Sequence, residues 1–594
     1  MKSGKKTSKS HKKTAGRIFI LQKDNPSSWW EFSVLIAAIF IIYLPGLKGE
    51  MLFDDIRNIR ENPYLQNVSD LQWLFKIPEY SGLTGRPFLQ WSFALNILLL
   101  GKSLFSYHIV NTLLHILNSI FIYLISATIL KKKKPSQNNH YLYEKIPFVV
   151  ALIWAVNPIH THAVTYIIQR AEVQMAFGFL GAVYFAIADM SSGKQIRYSV
   201  ISILFAFLSM GTKEVGTVIP VVVFMLHRTY GEGGLLHILK KRWVLYLGYF
   251  LALCITLILT IRSSVWNDSA SSALSGFEYF KTQTLIFFYY IKTFLLPGNH
   301  AFDLTWETVP GNFAFIILSF IIFSLIISSV ILFVKRKWYA WQILSIFLIL
   351  APTSSFIPLP DPVYIHRFYL PGIFITAFIV VGMLASFNYL ISKNKMIKNN
   401  VRTILTGLLI AVCFYYGNMT IKRNKLHQSA KLVWQDTLEK DPNNARAYNN
   451  LGRIYLDKGN PDKALENLNK ALTFNTRSNF TPVIKYNLGN CYFDLQSYDQ
   501  ALINFSEAIR LKEDYWSAYI NRGVTFIALN RFEEAARDQR LALKYVKTNP
   551  YLYMQYAFSL YKLNYTNEAK DVIKTAESRG IAIPNDFKQS LGLY

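Results

Sequence analysis

Apolar residues fill the first two thirds of the chain in long blocks separated by short polar or basic stretches, and beyond about residue 426 the blocks give way to mixed residues at helical spacing. A spanning helix needs ~20 apolar residues, somewhat fewer where flanking side chains snorkel. By that measure the pattern predicts spans from Trp29 to Leu47 and near 106–130, 146–163, 168–189, 197–212, 214–230, 243–262, 312–334, 338–357, 364–388 and 401–420, eleven in all. Two further stretches, 86–101 and 277–297, carry Arg86, Gln90, Lys281, Gln283 and Lys292, and read as helices lying along the interface. The first run ends in Pro-Gly-Leu-Lys-Gly-Glu without a small-residue cleavage site, which predicts an uncleaved anchor. Residues 1–28 form a basic tail, 29–425 a membrane domain with 49–105 as its first external loop, and 426–594 a separate domain.

The later domain repeats with a period of about 34 residues, that of the tetratricopeptide repeat. Repeats fall near 445–478, 482–515, 516–549 and 550–583. Small residues recur at the eighth, twentieth and twenty-seventh places: Gly452, Ala464, Ala471; Gly489, Ala501, Ala508; Gly523, Ala535, Ala542; Ala557, Ala569, Ala576. Those are the places where paired helices approach too closely for larger side chains. Three extra residues separate the first two repeats near Asn475 to Pro482. The whole chain therefore reads as all-α, a multispanning helical domain followed by an α-solenoid.

Charge gives this architecture an orientation. The chain holds 63 basic and 36 acidic residues, a formal charge of +27. With the N-terminus cytoplasmic and the two interfacial stretches outside, the basic runs at the tail, Lys131 to Lys134, Lys194/Arg197, Lys240 to Arg242, Lys335 to Lys337 and Lys393 to Lys398 are all cytoplasmic, as the positive-inside rule requires. The repeats are then external. These basic clusters sit in short loops without interleaved aromatic platforms, so the excess charge does not indicate nucleic-acid binding. Three cysteines, two of them in apolar runs, exclude a disulfide framework, and no ligand spacing demands a metal.

On the external side the charges are of mixed sign and lie beside Pro and Gly: Asp54 and Asp55 after the first span; His160, His162, Arg170 and Glu172; Lys213 and Glu214; Asp361, His366 and Arg367. One such group is readily an interfacial ion pair or a helix cap. Four loops of this kind on one face point instead to the rim of an active site. In the repeats, the sixth place is Asn450, Asn487, Asn521 and Gln555, a recurring amide that would form a ladder along the concave face and engage an extended acceptor polypeptide; the alternative is that the amides satisfy neighbouring helices.

The segments Phe-Asp-Asp at 53–55, Arg-Pro-Phe-Leu at 86–89, Asn-Pro-Ile-His-Thr-His-Ala-Val at 157–164, Gln-Arg-Ala-Glu at 169–172, Lys-Glu-Val-Gly at 213–216, Pro-Thr-Ser-Ser at 352–355 and His-Arg-Phe-Tyr-Leu-Pro at 366–371 resemble, in order, the TMTC family. These are transmembrane and tetratricopeptide-repeat O-mannosyltransferase-like proteins of the GT-C glycosyltransferase superfamily. One departure is His162, where the family often has Glu. The resemblance implies a GT-C-type membrane domain that moves a sugar, mannose in the family's name, from a polyprenyl-phosphate donor to an external acceptor, Ser or Thr hydroxyls of proteins. Inverting displacement requires a base, for which Asp54 is the first candidate and Asp55 the second. Arg170, Lys213, Arg367 and His366 would hold the leaving phosphate. Arg86, His160, His162, Glu172, Glu214 and Asp361 complete the rim. A divalent metal could assist through the carboxylates without being required. The setting is a multi-pass protein of a bacterial inner membrane with periplasmic repeats, or of the endoplasmic reticulum with luminal ones. Two other readings stay open: the same fold acting on a lipid or surface glycan, and a non-catalytic scaffold.

Overall fold

The computed structural model describes residues 27–74, 76, 83–131, 140–191, 195–231, 233–261, 275–298, 300–306, 311–359, 361–393, 395–475, 480–547 and 549–592. The basic tail up to residue 26, Lys132 to Lys134, Lys194 and positions 476–479 of the insertion lie outside the described residues. Among the described residues every regular element is helical. The chain forms two compact units, one from residues up to His300 and from Trp306 to Ser429, the other from Ala301–Thr305 and Ala430–Tyr594.

The first unit contains α1 (Ser27–Tyr43), α2 (Pro87–Leu100), α3 (Leu104–Lys131), α4 (His140–Ala155), α5 (Arg170–Ser191), α6 (Gln195–Met210), α7 (Ile219–Tyr230), α8 (Leu235–Lys241), α9 (Trp243–Ile261), α10 (Gly276–Leu295), α11 (Asn312–Val334), α12 (Ala340–Leu350), α13 (Pro371–Lys393) and α14 (Lys395–Leu426). Among the described residues five helical stretches are long and apolar enough to cross a membrane: Trp29–Lys48, Leu104–Lys131, Ile167–Ala188, Asn312–Val334 and Thr403–Leu426. The number rises to seven if the bent pairs Tyr143–Ala155 with Pro158–Val164 and Leu235–Lys241 with Trp243–Leu259 each count as one span. The eleven-span expectation thus exceeds what helix length supports. Expected runs near 197, 338 and 364 are shorter apolar helices, Ile196–Met210, Ala340–Leu350 and Pro371–Phe387. The last begins only at Pro371, which leaves His366 and Arg367 in the turn before it.

The break between α4 and α5 positions the candidate site. Pro158 lacks an amide hydrogen and holds the preceding Asn157 extended, and the Asn157 side chain caps the turn by accepting from the Ile159 amide at 3.1 Å. From there to Arg170 the backbone runs through short turns, which frees carbonyls inside an apolar bundle. Such backbone is tolerated only where protein supplies the missing partners. One face of α3 supplies several. His108, Asn111, His115 and Asn118 recur at spacings of three and four and are all buried. Asn111 donates to the Val164 and Ile167 carbonyls at 3.2 and 3.3 Å, and Asn118 to Val173 O at 2.9 Å. His115 Nε2 lies 3.0 Å from Ala155 O. A carbonyl can only accept, so Nε2 carries the proton and Nδ1 accepts from the Tyr369 hydroxyl at 2.6 Å. Thr420 on α14 donates to Val156 O at 2.8 Å.

The second unit begins with α15 (Ala430–Lys440) and continues as four helix pairs: α16 (Ala445–Asp457) and α17 (Pro461–Phe474), α18 (Thr481–Asp494) and α19 (Tyr498–Leu511), α20 (Trp516–Ala528) and α21 (Phe532–Tyr545), α22 (Pro550–Lys562) and α23 (Thr566–Ser578), with α24 (Asn585–Ser590) last. The small places do what the repeat demands. All nine alanines and Gly452 and Gly489 are sites of close approach: each alanine is fully buried, and a Cβ at Gly452 or Gly489 would come within 2.7 Å of Leu468 or 2.5 Å of Phe505. Residues 301–305 pack into the same unit, where Asp303 pairs with Arg446 at 2.9 Å and Phe302 meets Trp434 edge-on.

Asn111→Leu should be among the most destabilising isosteric changes in the first unit. It strands two buried carbonyls and one nitrogen of Arg170, at ~1–3 kcal/mol for each orphaned group. Thermal unfolding of the detergent-solubilised full chain should show a large fall in midpoint, whereas Leu113→Ala, on the exposed face of the same helix, should change it little.

Candidate active site

The loop after α1 carries two adjacent aspartates that the backbone sends in different directions. Phe53 adopts a left-handed φ of 34°, a conformation worth ~1–3 kcal/mol of strain in a residue with a side chain. Beyond it the chain turns into a short π-type helix, Ile56–Arg60. Asp55 points inward and is fully buried; its two carboxylate oxygens accept from the Leu52 amide at 2.9 Å and the Ile168 amide at 2.7 Å. Burial pushes its carboxyl up to about 8, against the lowering effect of those amides. Asp54 stays partly exposed, its amide donating to the Tyr166 hydroxyl at 3.1 Å and its carbonyl accepting from Asn58. Of the two aspartates, Asp55 thus ties the loop to the broken segment and Asp54 remains at the surface of the site.

Tyr166 leads to a cluster assembled from four segments. Its ring meets His162 edge-on, and His162 stacks on His366 with 3.1 Å between their Nδ1 atoms. His366 Nε2 lies 3.7 Å from Glu172 Oε1, the oxygen that also receives the Lys213 ammonium. Tyr364 stacks on His366 and donates to Asp361 at 2.7 Å. Beside Lys213, Glu214 pairs with Arg86 at 3.2 Å in a more open position. Burial, then the electrostatic influence of neighbouring Lys213, His162, Arg367 and Arg86, holds His366 well below the ordinary histidine range. At neutral pH it is an uncharged hydrogen-bonding group, so among the residues grouped around Glu172 the fixed cation is Lys213.

Four residues expected on the rim, Arg170, His160, Asp55 and Arg367, lie in the interior. Arg170 is fully buried: its guanidinium donates to Asn111 and Asn96 side chains at 2.7 and 2.8 Å and to the Ser92 and Tyr107 carbonyls, and stacks on Phe93 at 4.2 Å. These acceptors are all neutral, and they tie α2, α3 and α5 together. His160 is enclosed by Trp154, Tyr369 and His115 at ring distances of 4.6, 4.9 and 5.7 Å. Asp55 is the third. Arg367 is also buried, and donates to Pro362, Asp361 and Thr353 carbonyls, shaping the 353–362 loop. Tyr166 and Tyr364 were not anticipated; the signal available was their position, four residues after His162 and two before His366 on the same turns. Among the described residues no three His, Cys, Asp or Glu side chains are grouped so as to hold a metal ion.

In the repeat unit two of the four sixth-place amides, Asn487 and Asn521, bond to the neighbouring repeat. Asn450 donates to Arg446 O in its own helix, Asn487 to Asn449 at 2.8 Å, and Asn521 to Asn490 and the Tyr486 hydroxyl. Asn450 and Asn487 are buried. Asn487 and Asn521 stitch the first helices of successive repeats together.

Two tetratricopeptide-repeat family models match residues 425–477 and 486–550. Protein O-mannosyl-transferase F38B6.6 of Caenorhabditis elegans is 23% identical over 444 residues, covering 72% of this chain and 60% of that relative. Protein O-mannosyl-transferase TMTC3 of Mus musculus is 22% identical over 558 residues, 86% of this chain and 54% of that protein. The mouse protein O-mannosyl-transferase TMTC1 reaches 32% identity over 158 residues, 25% of this chain and 16% of its own length. The chain therefore spans little more than half the length of the relatives it matches most extensively.

The raised Asp55 carboxyl carries a pH signature. Its folded-state proton affinity exceeds that of the unfolded chain, so the stability it contributes is fully present below the unfolded value near 3.8 and is lost as pH rises through about 8. Asp55→Asn cannot titrate, and its amide offers one acceptor where two are needed. Wild type should therefore be more stable than Asp55→Asn, by a margin that shrinks at roughly 1.4 kcal/mol per pH unit between those limits. Parallel unfolding curves at about pH 5 and pH 8 check this; a margin that grows with pH would contradict it.

Proposed function

Because the chain is TMTC-like along most of its length, we propose that it is a membrane glycosyltransferase that moves a sugar, mannose by the relatives' names, from a polyprenyl-phosphate donor to a protein hydroxyl. The observation that carries this reading is the meeting of Lys213, Glu172, His366 and His162, drawn from separate segments, beside the partly exposed Asp54 loop. A scaffold has no use for such a cluster, since buried ion pairs contribute little net stability.

In the proposed reaction, Asp54 takes the proton of the acceptor hydroxyl as that oxygen attacks the anomeric carbon. The bond from this carbon to the donor phosphate oxygen breaks on the opposite face, and its electron pair leaves with the phosphate. The leaving charge meets Lys213, with Arg86 at the more open side, in a site where low water content strengthens the attraction. Glu172 fixes the lysine before the donor arrives. His366, uncharged at rest, and the His162 stacked on it hydrogen-bond the phosphate. Arg170 and Asp55 act through other groups: the first holds α2 and α3 on α5, the second holds the Asp54 loop on the broken segment. Arg367 shapes the neighbouring loop in the same way. The N-terminus is cytoplasmic in this reading, the site and repeats face the other side, and the repeats receive the acceptor polypeptide by surfaces other than the sixth-place amides.

The two aspartates separate chemistry from architecture. With polyprenyl-phosphate mannose and a protein acceptor, Asp54→Asn should lower turnover by about 100-fold or more, the usual contribution of a general base, with an unchanged unfolding midpoint. Asp55→Asn should lower the midpoint and reduce activity only as far as folded protein is lost. Wild-type turnover in Asp54→Asn would remove the proposed base.

A further inference from the structure

A second charged surface lies on the first unit, built from helix ends that the candidate site does not use. Helix α8 bends 85° from α9. If α9 runs along the membrane normal, α8 lies in the membrane plane. Its sequence, Leu-Leu-His-Ile-Leu-Lys-Lys, buries Ile238 against the protein and leaves Leu235, Leu236 and Leu239 exposed, with Trp243 exposed at the start of α9. Exposed leucines beside lysines on an in-plane helix suit the boundary between acyl chains and headgroups. Trp243 opens α9, and Trp338 and Tyr339 follow directly on the Lys335–Lys337 turn, aromatic residues of the kind enriched where headgroups meet acyl chains.

The end of α11 is clamped to this place. Arg336 has a left-handed φ of 53° at the position following the helix cap where glycine is the usual residue; the Lys337 amide returns to Leu332 O and the Arg336 amide to Phe333 O, both at 2.9 Å. The strain is offset by a contact glycine could not make. The guanidinium donates to the carbonyls of Gly231 and Gly233, in the turn that leads into α8. Lys335 and Lys337 are thereby held beside α8, exposed like Lys240 and Lys241. The segments 228–242 and 335–337 together carry seven basic residues and one acidic residue, Glu232. On the last turn of α7, one Arg228 guanidinium nitrogen is shut off from solvent without a hydrogen-bond partner among the described residues.

We propose that α8, Arg242 and the Lys335–Lys337 turn form a binding surface for anionic phospholipid headgroups, with the α8 leucines set among the first carbons of the acyl chains. Fixed cations at one level, an apolar face at the adjoining level and a backbone clamp that registers the two match a lipid that is charged at one end and apolar at the other. A soluble phosphate would use only the first of these features.

Native mass spectrometry and thermal shift of the full chain in neutral detergent test this with phosphatidylglycerol, phosphatidylcholine and inorganic phosphate as separate probes. Phosphatidylglycerol should be retained and raise the unfolding midpoint, phosphatidylcholine should do neither, and inorganic phosphate should not displace the bound lipid. Joint substitution Lys240→Gln, Lys241→Gln and Arg242→Gln should weaken phosphatidylglycerol about tenfold or more with an unchanged midpoint in lipid-free detergent; Lys335→Gln with Lys337→Gln repeats the test on a second element should the first variant fold poorly. Leu235→Ser with Leu236→Ser should weaken the lipid as well. Equal retention of the two lipids, unchanged affinity in a folded charge variant, or displacement by inorganic phosphate would overturn the proposal. None of these readouts depends on sugar transfer.

Discussion

A backbone that leaves helical form inside an apolar bundle must find a partner for each peptide group it frees, and the first unit is organised around that requirement. Between Ala155 and Arg170 the partners arrive from three directions: the polar face of α3, Thr420 on α14, and the Asp55 carboxylate from the loop after α1. Once these bonds are made, the segment holds its neighbours as firmly as they hold it. Thr165 donates to Asn424, which donates in turn to Ile42 O at the end of α1. The irregular segment is the joint at which α1, α3, α5 and α14 meet. Candidate chemistry sits there because side chains can project from a joint at angles that no continuous helix permits.

Burial then sorts residues that look alike in sequence. Asp54 and Asp55 differ by one position, yet one has its oxygens fixed by two amides and the other remains partly open. Arg170 and Lys213 are both buried cations, but Arg170 is surrounded by neutral acceptors that hold structure, whereas Lys213 faces a carboxylate that also approaches a histidine. Arginine's planar fork suits the first task, joining several elements at fixed angles. A compact ammonium on a flexible stem suits the second.

Much of this was legible from residue order. The small residues of the repeats follow from helix-to-helix distance, a local constraint that any copy must satisfy, and Gly452, Gly489 and the alanines lie at close contacts as the period requires. The mixed-charge loops do meet: Lys213 and His366 both stand within ion-pair reach of Glu172. The direction of a side chain within a turn was not legible, because it depends on which distant amide needs a partner; Asp55 answers Ile168, 113 positions away. Helix length among the described residues supports fewer spans than apolar composition predicts, for a related reason. Apolar composition reports burial, and helices such as α12 are apolar because protein surrounds them, at lengths too short to cross. Two of the four repeat amides, Asn487 and Asn521, bond to the neighbouring repeat.

Helices α5 and α6 run antiparallel and nearly touch. A Cβ at Gly178 would come within 2.7 Å of the Phe205 carbonyl and the Ser209 amide, and one at Gly181 within 2.3 Å of the Phe205 ring. Glu172 is in the first turn of α5 and Lys213 just beyond the end of α6, so this hairpin sets their register. A slip of one residue would move the lysine by about 1.5 Å along the axis and swing it by roughly 100°. The gap left by two missing side chains, up to about 13 Å along the helix from Glu172, thus works as the alignment pin of the ion pair. A methyl group added there would reach the candidate site without touching any of its residues.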